Sequence, residues 1–161
     1  MHTSYIVAAA IFITSGFALW KGDQGVRKAG LFNLADQIIG SSLNIFLGSE
    51  TGEVIRLSLD GVWAVGLLLL AVRYASVWLG VALMLQAVQF SLHSYYLLNE
   101  LPRDSLHAWI NNIDNYGICL CLVAGSVAAL RRRKALAREE AEREARRQEA
   151  RDRALTKKPL A

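Results

Sequence analysis

Lysine and arginine are scarce over most of this chain. Residues 1–130 hold only six of its 18 basic residues, with eight of its 14 acidic ones. The other twelve basic residues crowd into 131–161, so the tail is net +6 and the rest is net −2. A basic isoelectric point that comes from a tail alone does not mark a nucleic-acid binder, and no nucleic-acid partner is expected.

Cysteine is nearly missing too. Cys119 and Cys121 stand two residues apart in an apolar run. On a helix they point to nearly opposite sides and cannot bridge each other. A lone C-x-C is a weak metal signal, so both read as small packing residues. No phosphate-binding glycine loop and no zinc spacing occurs. Ser91 and Ser94 flank His93, but neighbouring helical residues do not face each other, so they make no nucleophile–base pair. His2 is at the start and His107 is expected outside the membrane, which leaves His93 without a second histidine for haem or metal. A non-enzymatic protein without catalytic residues, metal or cofactor is expected. The first apolar run, 5–20, has no Lys or Arg before it and no A-x-A pattern after it, so it reads as a retained span.

Long apolar stretches are what the chain does have. Hydrophobic residues make up 53% of it, in segments near 3–20, 29–47, 57–72, 75–98 and 110–130. A helix rises about 1.5 Å per residue against a hydrocarbon core of about 30 Å, which suits the last two best and leaves 3–20 and 57–72 short. The expected fold is all-α: an integral membrane bundle of five transmembrane helices over 1–130, then a charged cytoplasmic helical tail over 131–161. Segment 29–47 is the weakest span, because Asn33, Asp36, Gln37 and Asn44 interrupt it. If it re-entered instead of spanning, Lys21, Arg27, Lys28, Arg56 and Arg103 would all face outward. With five spans, 16 Lys and Arg lie inside and only Arg56 and Arg103 outside. The positive-inside bias therefore favours five spans in the plasma (inner) membrane, N-terminus out and C-terminus cytoplasmic. Trp20, Tyr74 and Trp78 then fall near the inner interface, and Tyr5, Tyr95, Tyr96 and Trp109 near the outer one.

The tail is rich in Ala, Glu and Arg, with no Gly or Pro before Pro159. Glu139–Arg143, Glu142–Arg146 and Glu149–Arg153 are i, i+4 pairs in the favourable order. No a/d apolar stripe is present to drive a coiled coil. Arg131, Arg132, Arg133 and Lys134 are expected to hold the helix end at anionic lipid headgroups.

Polar residues inside the spans carry the most information. Asn33, Gln37, Gly40 and Asn44 share a face of the second segment, with Asp36 beside them. Gln86, Gln89 and His93 share a face of the fourth. Asp114, Gly117, Cys121 and Gly125 run along the fifth, polar at the outer end and small below, the small part suited to close helix packing. A charge at a helix centre costs roughly 2.5–3.5 kcal/mol in lipid, so these faces are expected to meet inside the bundle. Asp36, Gln37, Asn44, Gln86, Gln89, His93, Asp114 and Asn115 form the expected cluster, opening outward, with Asp60 and Asn111 near its outer end. Such a cluster either locks the helices together by hydrogen bonds or receives a small ligand. The expected role is that of an accessory, scaffolding or regulatory subunit that engages another membrane or cytoplasmic protein, or a second copy. The alternative is a proton- or ion-conducting bundle or a holin-like pore, and the apolar inner halves of the third and fifth spans speak against a continuous polar path.

Overall fold

Five α-helices make up the computed structural model: α1 His2–Lys21, α2 Gln24–Phe46, α3 Ser49–Tyr74, α4 Val77–Leu98 and α5 Ser105–Thr156. It describes the backbone of residues 2–46, 49–102 and 104–156, and the side chains of 5–43, 52–102, 104–151 and 153.

Capping groups, not hydropathy, set the helix ends. α2 begins before the apolar segment does because Asp23 caps it: Val26 N donates to Asp23 Oδ1 at 3.0 Å. Asp104 starts α5 the same way, accepting from His107 N at 2.8 Å. Between α3 and α4 the chain turns at Ala75, whose φ of 44° is left-handed. Ala75 N donates to Ala71 O at 2.9 Å, which closes α3 in the single-bond left-handed motif. The fourth segment, expected from 75, therefore becomes helical only at Val77.

The helices close into a ring. α1 packs on α2, α2 on α3, α3 on α4, α4 on α5, and α5 returns to α1. α2 also reaches α5 across the middle, whereas among the described residues α2 does not meet α4, nor α3 meet α5. Toward the tail end the interior is apolar: Ala18, Val26, Ala29, Leu67, Leu70, Leu79 and Leu122, from all five helices, form one core. Small residues allow the close approaches. A Cβ on Gly30 would lie 2.9 Å from that of Ala18, one on Gly117 2.6 Å from Leu85 Cδ1, and one on Gly125 2.7 Å from Trp78 Cε2. Cys121 is buried on the same face as Gly117 and Gly125, while Cys119 packs with Val7 and Ile11 of α1; both thiols are free.

The polarity of the bundle is inverted relative to a water-soluble one. Ile13, Leu69, Val72, Met84 and Leu120 point outward, each at least 65% exposed, while Asp60, Gln86, Asp114 and Ser126 are buried inside. Such a surface suits lipid as the solvent. Among the described residues, three helices contain stretches long and apolar enough to cross a membrane: Gly52–Tyr74, Val77–Leu98 and Ser105–Arg151. Among the described residues, the apolar part of α1 is the shorter stretch Tyr5–Lys21.

From Arg131 to Arg151 α5 is exposed on every side. The stretch 131–156 extends roughly 39 Å at a helical rise. The pairs Glu139–Arg143 and Glu149–Arg153 form, at 4.0 and 2.9 Å. At its root the tail is tied down: Arg132 pairs with Asp23 at 3.2 Å, and Arg133 donates to the Gly22 carbonyl at 2.9 Å. Two of the four residues expected at lipid headgroups thus also grip the α1–α2 turn.

Candidate functional site

Two cross-helix contacts fix the antiparallel register of α4 and α5. His93 stacks on His107 with ring centroids 5.2 Å apart. One turn along, Gln89 Nε2 donates to Asn111 Oδ1 at 3.0 Å. Further along these two helices lie Gln86 of α4 and Asp114 of α5. Both are buried, 1% and 3% exposed, and neither Gln86 Nε2 nor Asp114 Oδ2 has a partner among the described residues. These rungs are a polar seam within an otherwise apolar interface.

Beside the seam lies a cavity of about 120 Å³. It occupies the gap left because α2 does not meet α4 and α3 does not meet α5. α2 lines it with Asp36, Gln37, Gly40 and Ser41, α3 with Arg56 and Asp60, α4 with Gln89 and His93, and α5 with Asn111 and Asn115. Of the eight residues expected in one cluster, Asp36, Gln37, Gln89, His93 and Asn115 line this cavity, while Gln86 and Asp114 sit in the adjoining seam. The side chain of Asn44 lies outside the described residues. Asn33, on the expected α2 face, turns to α1 instead, where its Nδ2 donates to Ser15 Oγ at 3.1 Å.

The wall is organised by internal bonds. His93 Nδ1 donates to the buried Asp60 carboxylate. Arg56 Nη2 donates to the Gly40 carbonyl at 3.1 Å, joining α3 to α2. Gln37 Nε2 donates to Ser41 Oγ at 3.0 Å, and Asn115 Nδ2 to Asn111 O at 2.7 Å. His93, expected to have no second histidine near it, does have His107 beside it. α5 begins at Ser105, before the apolar segment, and its first turn folds the His107 ring under the loop against His93 and Tyr96. Asp104 anchors that turn. The His107 backbone N–H, and then the Tyr96 hydroxyl at 2.8 Å, hold its carboxyl below the usual range.

Arg56 and His107 were the side chains around the site least visible in the sequence. Arg56 did leave a signal, since Glu53, Arg56 and Asp60 recur at +3 and +4 on one face of α3. Chemically, the carboxylates, amides and guanidinium of the wall suit polar solutes. Among the described residues no group of three His, Cys, Asp or Glu side chains could hold a metal ion. The Ser91 hydroxyl beside His93 is spent on the Ala87 carbonyl. No protein-family model, curated protein or solved structure matches the chain.

Proposed function

We propose that this is a five-span protein of the plasma (inner) membrane, N-terminus outside and tail cytoplasmic, which takes a small polar ligand into the α2–α5 cavity from outside. It acts as an accessory or regulatory subunit, not an enzyme, and the exposed tail of α5 engages another membrane or cytoplasmic protein, or a second copy. Arg131 and Lys134, with Lys21, Arg27, Lys28 and Arg73, border the inner end of the bundle and suit anionic headgroups.

The observation that carries this reading is a polar cavity closed at one end. Four helices line it with carboxylates, amides, a histidine and an arginine. Below it, Val26, Leu67, Leu70, Leu79 and Leu122 fill the centre of the ring. A blind polar cavity above an apolar plug suits binding. Conduction through one copy would need a polar path where that plug lies, which works against the proton-conducting or holin-like alternative.

The test is thiol labelling from outside. In a background carrying Cys119→Ser and Cys121→Ser, Asn111→Cys should react with a membrane-impermeant thiol reagent on intact cells. Only a thiolate reacts, and it forms readily where water reaches. Leu67→Cys, in the plug, should stay silent. An unreactive Asn111→Cys, or a Leu67→Cys that reacts as fast, would refute the reading.

A further inference from the structure

We infer that the cavity selects small organic cations, protonated amines or guanidinium groups, with Asp36 as their counter-ion. The inference rests on the reading of the cavity as an outward-opening binding site and adds the ligand's chemistry.

Each neighbour of Asp36 in the wall already has a partner. Asp60 is held by His93, Gln89 by Asn111, Gln37 by Ser41, Asn115 by the Asn111 carbonyl, and Arg56 by the Gly40 carbonyl. Asp36 is the exception: among the described residues its carboxylate makes no hydrogen bond and no ion pair. Gln37, Gln89 and Asn115 each spend one of their two amide N–H donors on these internal bonds. Their oxygens accept nothing from the described residues. Asp36 is therefore the charged side chain of the wall left without a partner among the described residues, and a carboxylate calls for a ligand that brings donors.

Charge points the same way. The groups facing the cavity are Asp36 from α2, Arg56 and Asp60 from α3, His93 from α4, and only neutral amides from α5. Asp60 is paired with His93, and the Arg56 guanidinium is turned onto a backbone carbonyl, so neither partners Asp36 directly. An unpartnered carboxylate in a polar cavity favours a cation that donates. A bare metal ion would find no set of three ionisable ligands among the described residues. Size sets the upper limit. An apolar cavity of about 150 Å³ accepts benzene, so this volume admits ligands of up to about six heavy atoms.

Guanidinium and urea are the probes. They share a planar shape and a similar set of N–H donors, and they differ in charge. The protein is the full chain in detergent, with chloride and ionic strength matched and both probes at low millimolar concentration. Guanidinium should slow thiol labelling of Asn111→Cys about tenfold at ten times its Kd and raise the melting temperature, as a ligand of the native state must. Urea should do neither. Asp36→Asn keeps the shape and should weaken guanidinium binding about tenfold or more, the usual share of a charged hydrogen bond. Equal effects of urea and guanidinium would overturn the inference, and that comparison needs no Asp36 variant. So would guanidinium acting equally on Asp36→Asn, or having no effect at all. If Asn111→Cys reacts from outside but guanidinium gives no protection, the cation inference alone fails. If it never reacts, the outward cavity itself is refuted.

Discussion

Gly125 offers the sharpest test of how the helices pack. An added Cβ there would lie 2.7 Å from Trp78 Cε2, 2.9 Å from Cδ2 and 3.1 Å from Cζ2. Carbon atoms rest at about 3.5–4.0 Å, so Gly125→Ala must push the indole or the whole of α4 away by most of an ångström. Trp78 packs against the apolar core and has little room to give. Overpacking of this kind costs about 1–3 kcal/mol, and better helix propensity returns up to about 1 kcal/mol. A net loss near 1 kcal/mol is expected. Gly117→Ala meets only the end of a leucine, Leu85 Cδ1 at 2.6 Å. Moving that side chain off its rotamer costs about 0.5–1.5 kcal/mol, so the propensity gain roughly cancels it. At Gly80 nothing lies within 4 Å, and Gly80→Ala should gain up to about 1 kcal/mol.

The expected order of stability is thus Gly80→Ala, then Gly117→Ala, then Gly125→Ala, with about 2 kcal/mol between the extremes. Unfolding by titration from mild detergent into dodecyl sulfate, followed by circular dichroism, resolves such a difference. Combining Gly125→Ala with Trp78→Leu should restore part of the loss, because the two sites touch and their effects are not additive. If Gly125→Ala proves as stable as Gly80→Ala, the Gly125–Trp78 contact does not hold α4 to α5, and the packing described above is wrong.

Asp23 is predicted to hold two elements at once, since Oδ1 caps α2 and Oδ2 meets Arg132. Asp23→Ala should cost about 1 kcal/mol, nearly all from the cap, because an ion pair this exposed adds little. Asp23→Asn should keep most of that stability, and equal losses for the two variants would contradict the capping role. Asp104 yields a pH dependence. Its folded pKa lies below the unfolded value, so its contribution is complete above the ordinary carboxylate range and is lost as pH falls through the folded pKa. Melting followed from neutral pH into that acid range should show a decrement that Asp104→Asn lacks, since Asn still caps but does not titrate. An unchanged acid decrement in that variant would assign the effect to another carboxylate.

The helices themselves were legible in the sequence because apolar runs and polar interruptions are local. Their ends were less so. Hydropathy marks where apolar residues begin, whereas Asp23, Asp104 and the left-handed Ala75 mark where the backbone turns. That is why the stacking of His107 on His93 was not foreseen: His107 lies in the first turn of α5, ahead of the apolar segment. The grip of Arg132 and Arg133 on the α1–α2 turn joins residues more than a hundred positions apart and leaves no periodic trace.

The candidate site divides along the same line. Periodicity says which face of a helix turns inward, but not which neighbour it will find there. Asn33 and Gln37 share one face of α2, yet Asn33 bonds Ser15 on α1 while Gln37 lines the cavity. Gln86 and Gln89 share a face of α4, yet only Gln89 reaches the cavity. What decides is the order of helices around the ring. Where two helices meet, as α4 and α5 do, facing polar groups close into a seam. Where α2 and α4, or α3 and α5, stand apart, the same kinds of residue enclose a space. Small residues such as Gly117 and Gly125 bring α4 and α5 together, and their close approach keeps Gln86 and Asp114 in the seam. Larger residues there would widen the seam and could open those two groups to the cavity. Packing and binding chemistry are therefore coupled along α5. Gly117→Leu should add a third carboxylate, Asp114, to the cation site, tightening guanidinium binding while it lowers the stability of the bundle. If binding weakens with stability, the seam and the cavity are separate.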